Sequence, residues 1–218
     1  MTASVHGARP DQLTVDEWGR DARLIELLSP VARMRWAVTI TNGLRLPDGP
    51  ALVIVNTRRF ALTPIAVAWA LADELARSVR FVGRPDVVPF GPLLRRAGGL
   101  LEREDEVGGA LRDGALVLVG AGPGLGSGHV GRVVPEVVGA ALRERAPIHV
   151  AAVRSSAASR DVGVDVDHAL RHGRRRRGPL AEVELAEAAT TRLRDLLRGR
   201  AGDITDLAEA RAALRGSA

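Results

Sequence analysis

Residues 49–71 read GPALVIVNTRRFALTPIAVAWAL. The stretch leaves a turn, Pro47-Asp48-Gly49-Pro50, where Pro and Gly punctuate the chain. An apolar run follows, Ala51 to Val55, rich in β-branched residues. Such a run between a turn and a polar loop predicts a strand buried on both faces. The polar loop is Asn56-Thr57-Arg58-Arg59, and apolar residues resume at helical length after Pro64, from Ile65 to Leu75. A buried strand therefore delivers Asn56 and Thr57 to a strand end, and a helix leaves from there. In α/β proteins ligands sit at such strand ends.

The same alternation extends outward. Strand-like runs near 36–41, 79–83, 115–119 and 147–153 are separated by helical stretches at Pro64 to Arg77, Glu106 to Asp113, Val133 to Arg145 and Glu182 to Arg198. Gly114 is a C-cap signal for the second of these helices. Val162 to Val166 fits an edge strand, and Ile204 to Leu214 a final short helix. Near the start, Val15, Trp18, Leu24, Leu27, Leu28, Val31 and Met34 recur at helical spacing. They predict an amphipathic helix interrupted near Ser29-Pro30, its apolar side packed on the core. Met1 to Gln12 is expected to be disordered, and 201–218 to form a C-terminal helical tail. The pattern predicts an α/β fold, a mostly parallel central sheet flanked by helices.

Composition bounds the chemistry. At 218 residues one domain is the default, and 46% hydrophobic content is ordinary for a globular chain. Cysteine is absent, which excludes disulfides and thiolate sites. Lysine is absent too, so all 31 basic residues are Arg. The net charge of +5 and a pI near 11.2 suit an anionic partner, a lipid surface or a nucleic acid. The basic run Arg174 to Arg177 lacks interleaved aromatics for stacking bases, which disfavours nucleic acid. With Arg58, Arg59, Arg95, Arg96 and Arg103 it suits an anionic membrane lipid surface instead. No run reaches the ~18–20 apolar residues of a membrane span. The expected location is cytoplasmic, peripheral to the inner face of a membrane.

Leu116 to Gly126, LVLVGAGPGLG, has a reading of its own. A buried strand followed by Gly120-x-x-x-Gly124-x-Gly126 is similar to the NAD(P) cofactor loop of short-chain dehydrogenases. Three facts count against it. The loop lies past the middle of the chain, the residues after Gly126 start a helix poorly, and that family's catalytic Tyr cannot exist in a chain without Tyr.

Successive blocks from Gly43 to Val153 resemble the glycerophosphate and lysophospholipid acyltransferase family. Gly43-Leu44 to Pro47, then Gly49-Pro50, the apolar strand and Asn56, match its first block. Pro85 to Ala97 (PDVVPFGPLLRRA) is similar to its Pro-x-x-Gly-x-x-(Leu/Ile) passage. Ala97 to Arg103 (AGGLLER) matches Gly-x-x-apolar-apolar-x-Arg, with Ala97 for the Gly. Ala146-Pro147-Ile148 matches the start of the last block. The resemblance implies a domain over 13–200 that binds a lipid acceptor and an acyl thioester, acyl-CoA or acyl carrier protein. Asn56 and Arg103 are the substrate-binding candidates it implies, Arg103 for the acceptor phosphate. A guanidinium suits that task because its planar fork donates two hydrogen bonds at once.

The catalytic pair of that family is missing. Its His position is Thr57, its Asp position is Leu62, and its Phe-Pro-Glu-Gly loop is Gly120-Ala121-Gly122-Pro123. Acyl transfer needs a base near the acceptor hydroxyl, and a threonine has no useful basicity. Two expectations follow. The first is a catalytically silent relative that binds lipid or acyl groups, or pairs with an active acyltransferase. The second is an active O-acyltransferase with a relocated base, for which His129, beyond the strand 115–119, is the candidate. His149 fits a satisfied core histidine. No metal site is expected: the pair His168 and His172 is followed by Gly173 and the Arg run.

Overall fold

The computed structural model describes residues 15–56, 63–122, 130–155, 160–171 and 178–216. Among them seven strands form one sheet: β1 (Ala37–Thr41), β2 (Ala51–Asn56), β3 (Val79–Val82), β4 (Gly99–Leu100), β5 (Leu116–Ala121), β6 (Ile148–Ser155) and β7 (Asp161–Val166). Their order is β1-β7-β6-β2-β5-β3-β4. The five strands β2 to β6 run parallel. Strand β7 is antiparallel to β6, and β1 is parallel to β7. The helices are α1 (Ala22–Arg35), α2 (Thr63–Leu75), α3 (Phe90–Arg96), α4 (Glu104–Arg112), α5 (Pro135–Arg143) and α6 (Pro179–Gly216). This is the mostly parallel, helix-flanked sheet that the alternating runs predict.

Strand β2 is buried at all six positions because helices cover both faces of the sheet. Side chains alternate across a strand. Ala51, Val53 and Val55 pack with Val67 and Leu71 of α2. Leu52 and Ile54 pack on the other face with Val107 and Leu111 of α4, Val137 of α5 and Leu193 of α6. A strand with two apolar neighbours has no polar positions to alternate, hence the unbroken run of the sequence.

Four expectations change. Helix α1 passes Pro30 without interruption. Asp21 caps its start, its Oδ1 accepting the N–H groups of Arg23 at 3.0 Å and Leu24 at 3.2 Å. Pro30 lies within the helix and is exposed. None of the α1 residues is buried, and Leu27, Val31 and Met34 are 73%, 64% and 73% exposed. Leu24, Ile25 and Leu28 are half-buried, so the apolar side of this helix is split between the domain and solvent rather than packed on the core.

Strand β7 is not at an edge. Strand β1 pairs along it, from Ala37 with Asp161 to Thr41 with Asp165, and takes the edge itself. The two C-terminal helices are one helix, α6, continuous across residue 201. Gly199 and Gly202 fall inside it; a helical Gly costs about 1 kcal/mol relative to Ala, a penalty that does not by itself end a helix.

Candidate functional site

The carboxyl ends of the parallel strands form one rim of the sheet, where α/β proteins place their ligands. Asn56 ends β2 in the middle of that rim, in register with Ala121 of β5. It is 5% exposed. Its Nδ2 donates to the Val153 carbonyl at 2.8 Å, and the Val153 N–H donates to its Oδ1 at 2.6 Å. The carboxamide behaves as one more peptide unit between β2 and β6. One N–H and one lone pair of the amide remain for other partners.

Arg103 stands at the start of α4, just beyond β4. Its guanidinium is exposed and donates to Asp105 from Nε and Nη2, both at 3.1 Å. Three inter-strand steps separate β2 from β4, about 14 Å across the sheet. Asn56 and Arg103 therefore share the rim without meeting. Arg95 and Arg96, proposed for a lipid-facing surface, are engaged at the end of α3. Arg95 Nε donates to the Trp18 carbonyl at 3.1 Å, and Arg96 pairs with Asp21 at 2.5 Å.

A second arginine lies one strand nearer. Arg84 follows β3, is 8% exposed, and pairs through Nη2 with Glu106 Oε1 at 3.1 Å. The other Glu106 oxygen accepts the Leu101 N–H at 2.8 Å, which fixes the carboxylate. The Arg84 Nε is buried without a hydrogen-bond partner. A buried guanidinium with a spare donor at the carboxyl rim is better placed to take an anionic group than the solvated Arg103. The signal was there in the sequence, an Arg directly after the strand-like stretch Val79 to Gly83, but nothing local distinguished it from the other arginines. Glu102, also at this rim, has its carboxyl pushed up by burial and then by the Glu136 carboxylate. That pair can hold a proton more readily than an isolated surface carboxylate.

The described histidines are elsewhere. His149 lies on β6 in register with Val53, is 3% exposed, and places Nδ1 3.0 Å from the Asp167 carbonyl. It is the satisfied core histidine expected. His168 follows β7, whose carboxyl end reaches the opposite rim. There Asp167 pairs with Arg192 of α6. Burial alone would raise the Asp167 pKa, but the Arg192 hydrogen bond, the His168 N–H and the nearby positive charge lower it below the usual carboxylate range. A depressed carboxylate contributes stability that is present above the unfolded pKa and lost as pH falls through the folded one. The contact is thus structural, a tie between α6 and the sheet.

Thr57, Leu62, Arg58, Arg59, His129, His172, Arg174 to Arg177, Pro123, Gly124 and Gly126 lie outside the described residues. Gly120 is inside β5, and the first described helix after it, α5, starts at Pro135. The Gly122 N–H donates to the Arg132 carbonyl at 3.1 Å, closing the base of the intervening segment. Among the described residues no cluster of three or more His, Asp or Glu could hold a metal, and no helix is long and apolar enough to cross a membrane.

No family model matches the sequence, and no curated protein matches it. Solved structures do. The crystal structure of the 1-acyl-sn-glycerophosphate (LPA) acyltransferase PlsC from Thermotoga maritima superposes with a TM-score of 0.58 at 12% identity, over 81% of this chain and 79% of that one. At that identity the likeness is one of fold: the chain has an acyltransferase-like α/β architecture.

Proposed function

We propose that this chain binds lipid or acyl groups on an acyltransferase-like fold and does not itself transfer them, or supports an active acyltransferase as its partner. One observation carries the reading. The strand ends in the matching Asn56, bonded to Val153, but the chain continues with Thr57 and Leu62 where the family it resembles has His and Asp. Neither described histidine compensates, since His149 is held on Asp167 and His168 is at the far rim. Loss of general-base catalysis alone lowers a rate by roughly 10²–10⁴. The purified protein, given acyl-CoA or acyl carrier protein thioester with lysophospholipid or glycerophosphate, is expected to release no thiol above the uncatalysed background. Turnover that disappears in His129→Ala would refute the reading.

That outcome would support the second reading, an active O-acyltransferase with a displaced base. The Gly122 to Arg132 hydrogen bond favours it, because it holds together, just past the end of β5, the described residues on either side of His129 in the sequence.

The lipid surface we assign to α1. Leu27, Val31 and Met34 lie one and two turns apart and face solvent, with Arg23, Arg33 and Arg35 around them. An apolar stripe flanked by Arg suits an anionic interface. The chain is expected to float with acidic vesicles at low salt and to be released at high salt, as screening weakens the charge term. Absence from the floating fraction at low salt would remove the membrane assignment.

A further inference from the structure

Four buried donor atoms without a hydrogen-bond partner gather near the amino rim of β3, away from Asn56: Arg20 Nε, Ser78 Oγ, Arg80 Nε and Arg80 Nη1. Among the described residues the other such side-chain atom is Arg84 Nε. Arg80 pairs with Val117 of β5, which pairs with Leu52, so it lies four residues, about 13 Å along the strands, from the level of Asn56. Arg80 is 3% exposed, and its Nη2 is taken by Asp16. Arg20 feels the same two groups. Burial and then the Arg80 charge push its pKa down, while Asp16 acts in the opposite direction.

Asp16 thus bonds the Arg80 guanidinium and acts on that of Arg20 through charge alone. That carboxylate also accepts the Trp18 and Arg20 backbone N–H groups at 3.1 and 2.9 Å. Buried donors left unpaired are costly, and charged ones more so. All four orphans can donate, and the cluster carries excess positive charge. The missing complement is a set of acceptor oxygens with negative charge.

Arg20 and Ser78 open onto a cavity of about 330 Å³. The carboxylate on its wall, Asp73, is already paired with Arg33 at 2.6 Å. Arg77 on the same wall is spent on the carbonyls of Pro47, Gly49 and Gly114. This cavity shares Ser29, Trp69 and Asp73 with a second one of about 500 Å³, whose walls include Trp36, Val38 and Ala66. Together they make a trough between α1, α2 and β1, cationic and donor-rich at one end; the other end has a wall of Trp36, Val38, Ala66 and Trp69, with the Arg33–Asp73 pair and Glu74 beside it. Its size is that of small-molecule sites.

We infer that this trough binds an amphiphilic anion. An oxyanion head, carboxylate or phosphate, sits against Arg20 and Ser78 with the Arg80 charge behind them, and an apolar tail runs along Trp69 and Trp36. The site does not depend on the acyltransferase reading, since it is at the opposite rim from Asn56.

The test is a fluorescence titration of the full chain with decanoate, decyl phosphate, decanol and inorganic phosphate, since Trp36 and Trp69 report from the trough. Decanoate or decyl phosphate is expected to shift the emission and raise the melting temperature, and the tighter of the two identifies the head. Decanol and inorganic phosphate, each lacking one half of the ligand, are expected to bind at least tenfold more weakly. Arg20→Gln should weaken the anionic amphiphile roughly tenfold or more, and Ser78→Ala several-fold, the ordinary worth of a charge-assisted and a neutral hydrogen bond. Arg20→Gln removes a positive charge beside Arg80, so the fold tolerates it, and Ser78→Ala gives an independent reading. Decanol binding as tightly as decanoate, inorganic phosphate matching decyl phosphate, or unchanged affinity in both variants would each overturn the inference.

Discussion

Asn56→Leu is expected to destabilise the chain by about 2–5 kcal/mol, because it strands two backbone groups that each cost ~1–3 kcal/mol when buried unpaired. The Val153 N–H and carbonyl both bond to the Asn56 amide, at 2.6 and 2.8 Å. Leucine has nearly the same shape and can bond neither. Asn56→Asp separates the two halves of the interaction. A carboxylate can still accept from the Val153 N–H but cannot donate to its carbonyl, so the loss should be smaller at low pH, where the acid form donates. Denaturant midpoints read by circular dichroism measure both variants. A cost for Asn56→Leu within experimental scatter of zero would mean that Val153 finds other partners, and that Asn56 is free for a ligand.

Gly131→Ala should produce the other large effect. A Cβ at Gly131 would lie 1.7 Å from the Gly122 carbonyl oxygen and 2.2 Å from its carbon. Both are backbone atoms, so no side chain can swing aside. The segment base held by Gly122 N–H and the Arg132 carbonyl must open. The expected cost is about 2–3 kcal/mol, in the range of core overpacking, with loss of hydrogen-exchange protection at the Gly122 amide. Gly49→Ala is the control: nothing lies within 4 Å of its added Cβ. That substitution should stay within about 0.5 kcal/mol of the parent. Unchanged protection at Gly122 in Gly131→Ala would show that the backbone shifts to admit the Cβ while the Gly122 to Arg132 hydrogen bond stays closed.

The two variants test different parts of one rim. Asn56 ties β2 to β6, whereas Gly131 keeps the segment after β5 close to its own start. The first effect is read in global stability and the second in local protection, so a chain that loses one can still report on the other.

Some features were legible from residue order because their cause is local. The runs at Ala51 to Val55, 115–119 and 147–153 predicted strands, since faces covered on both sides favour apolar residues, with His149 in the last run paired to the Asp167 carbonyl. Strand β4 has two residues and helix α3 seven, too few for a period to show, and both were visible only as parts of a family passage. The exchange of His and Asp for Thr57 and Leu62 is also a matter of sequence, because basicity belongs to the residue type.

Other features depend on partners far along the chain. Asn56 was identified by position, but its bond to Val153 spans 97 residues. Among 31 arginines, only the fold distinguishes Arg103, solvated beside Asp105, from Arg84 and Arg80, buried beside Glu106 and Asp16. The same holds for α1, whose amphipathic period was evident while the direction of its apolar side was not. Periodicity and residue type are set by the chain itself and decided the layers and the missing base. Which charges are buried, and which face meets water, depends on what packs against them, and only the tertiary structure decided that.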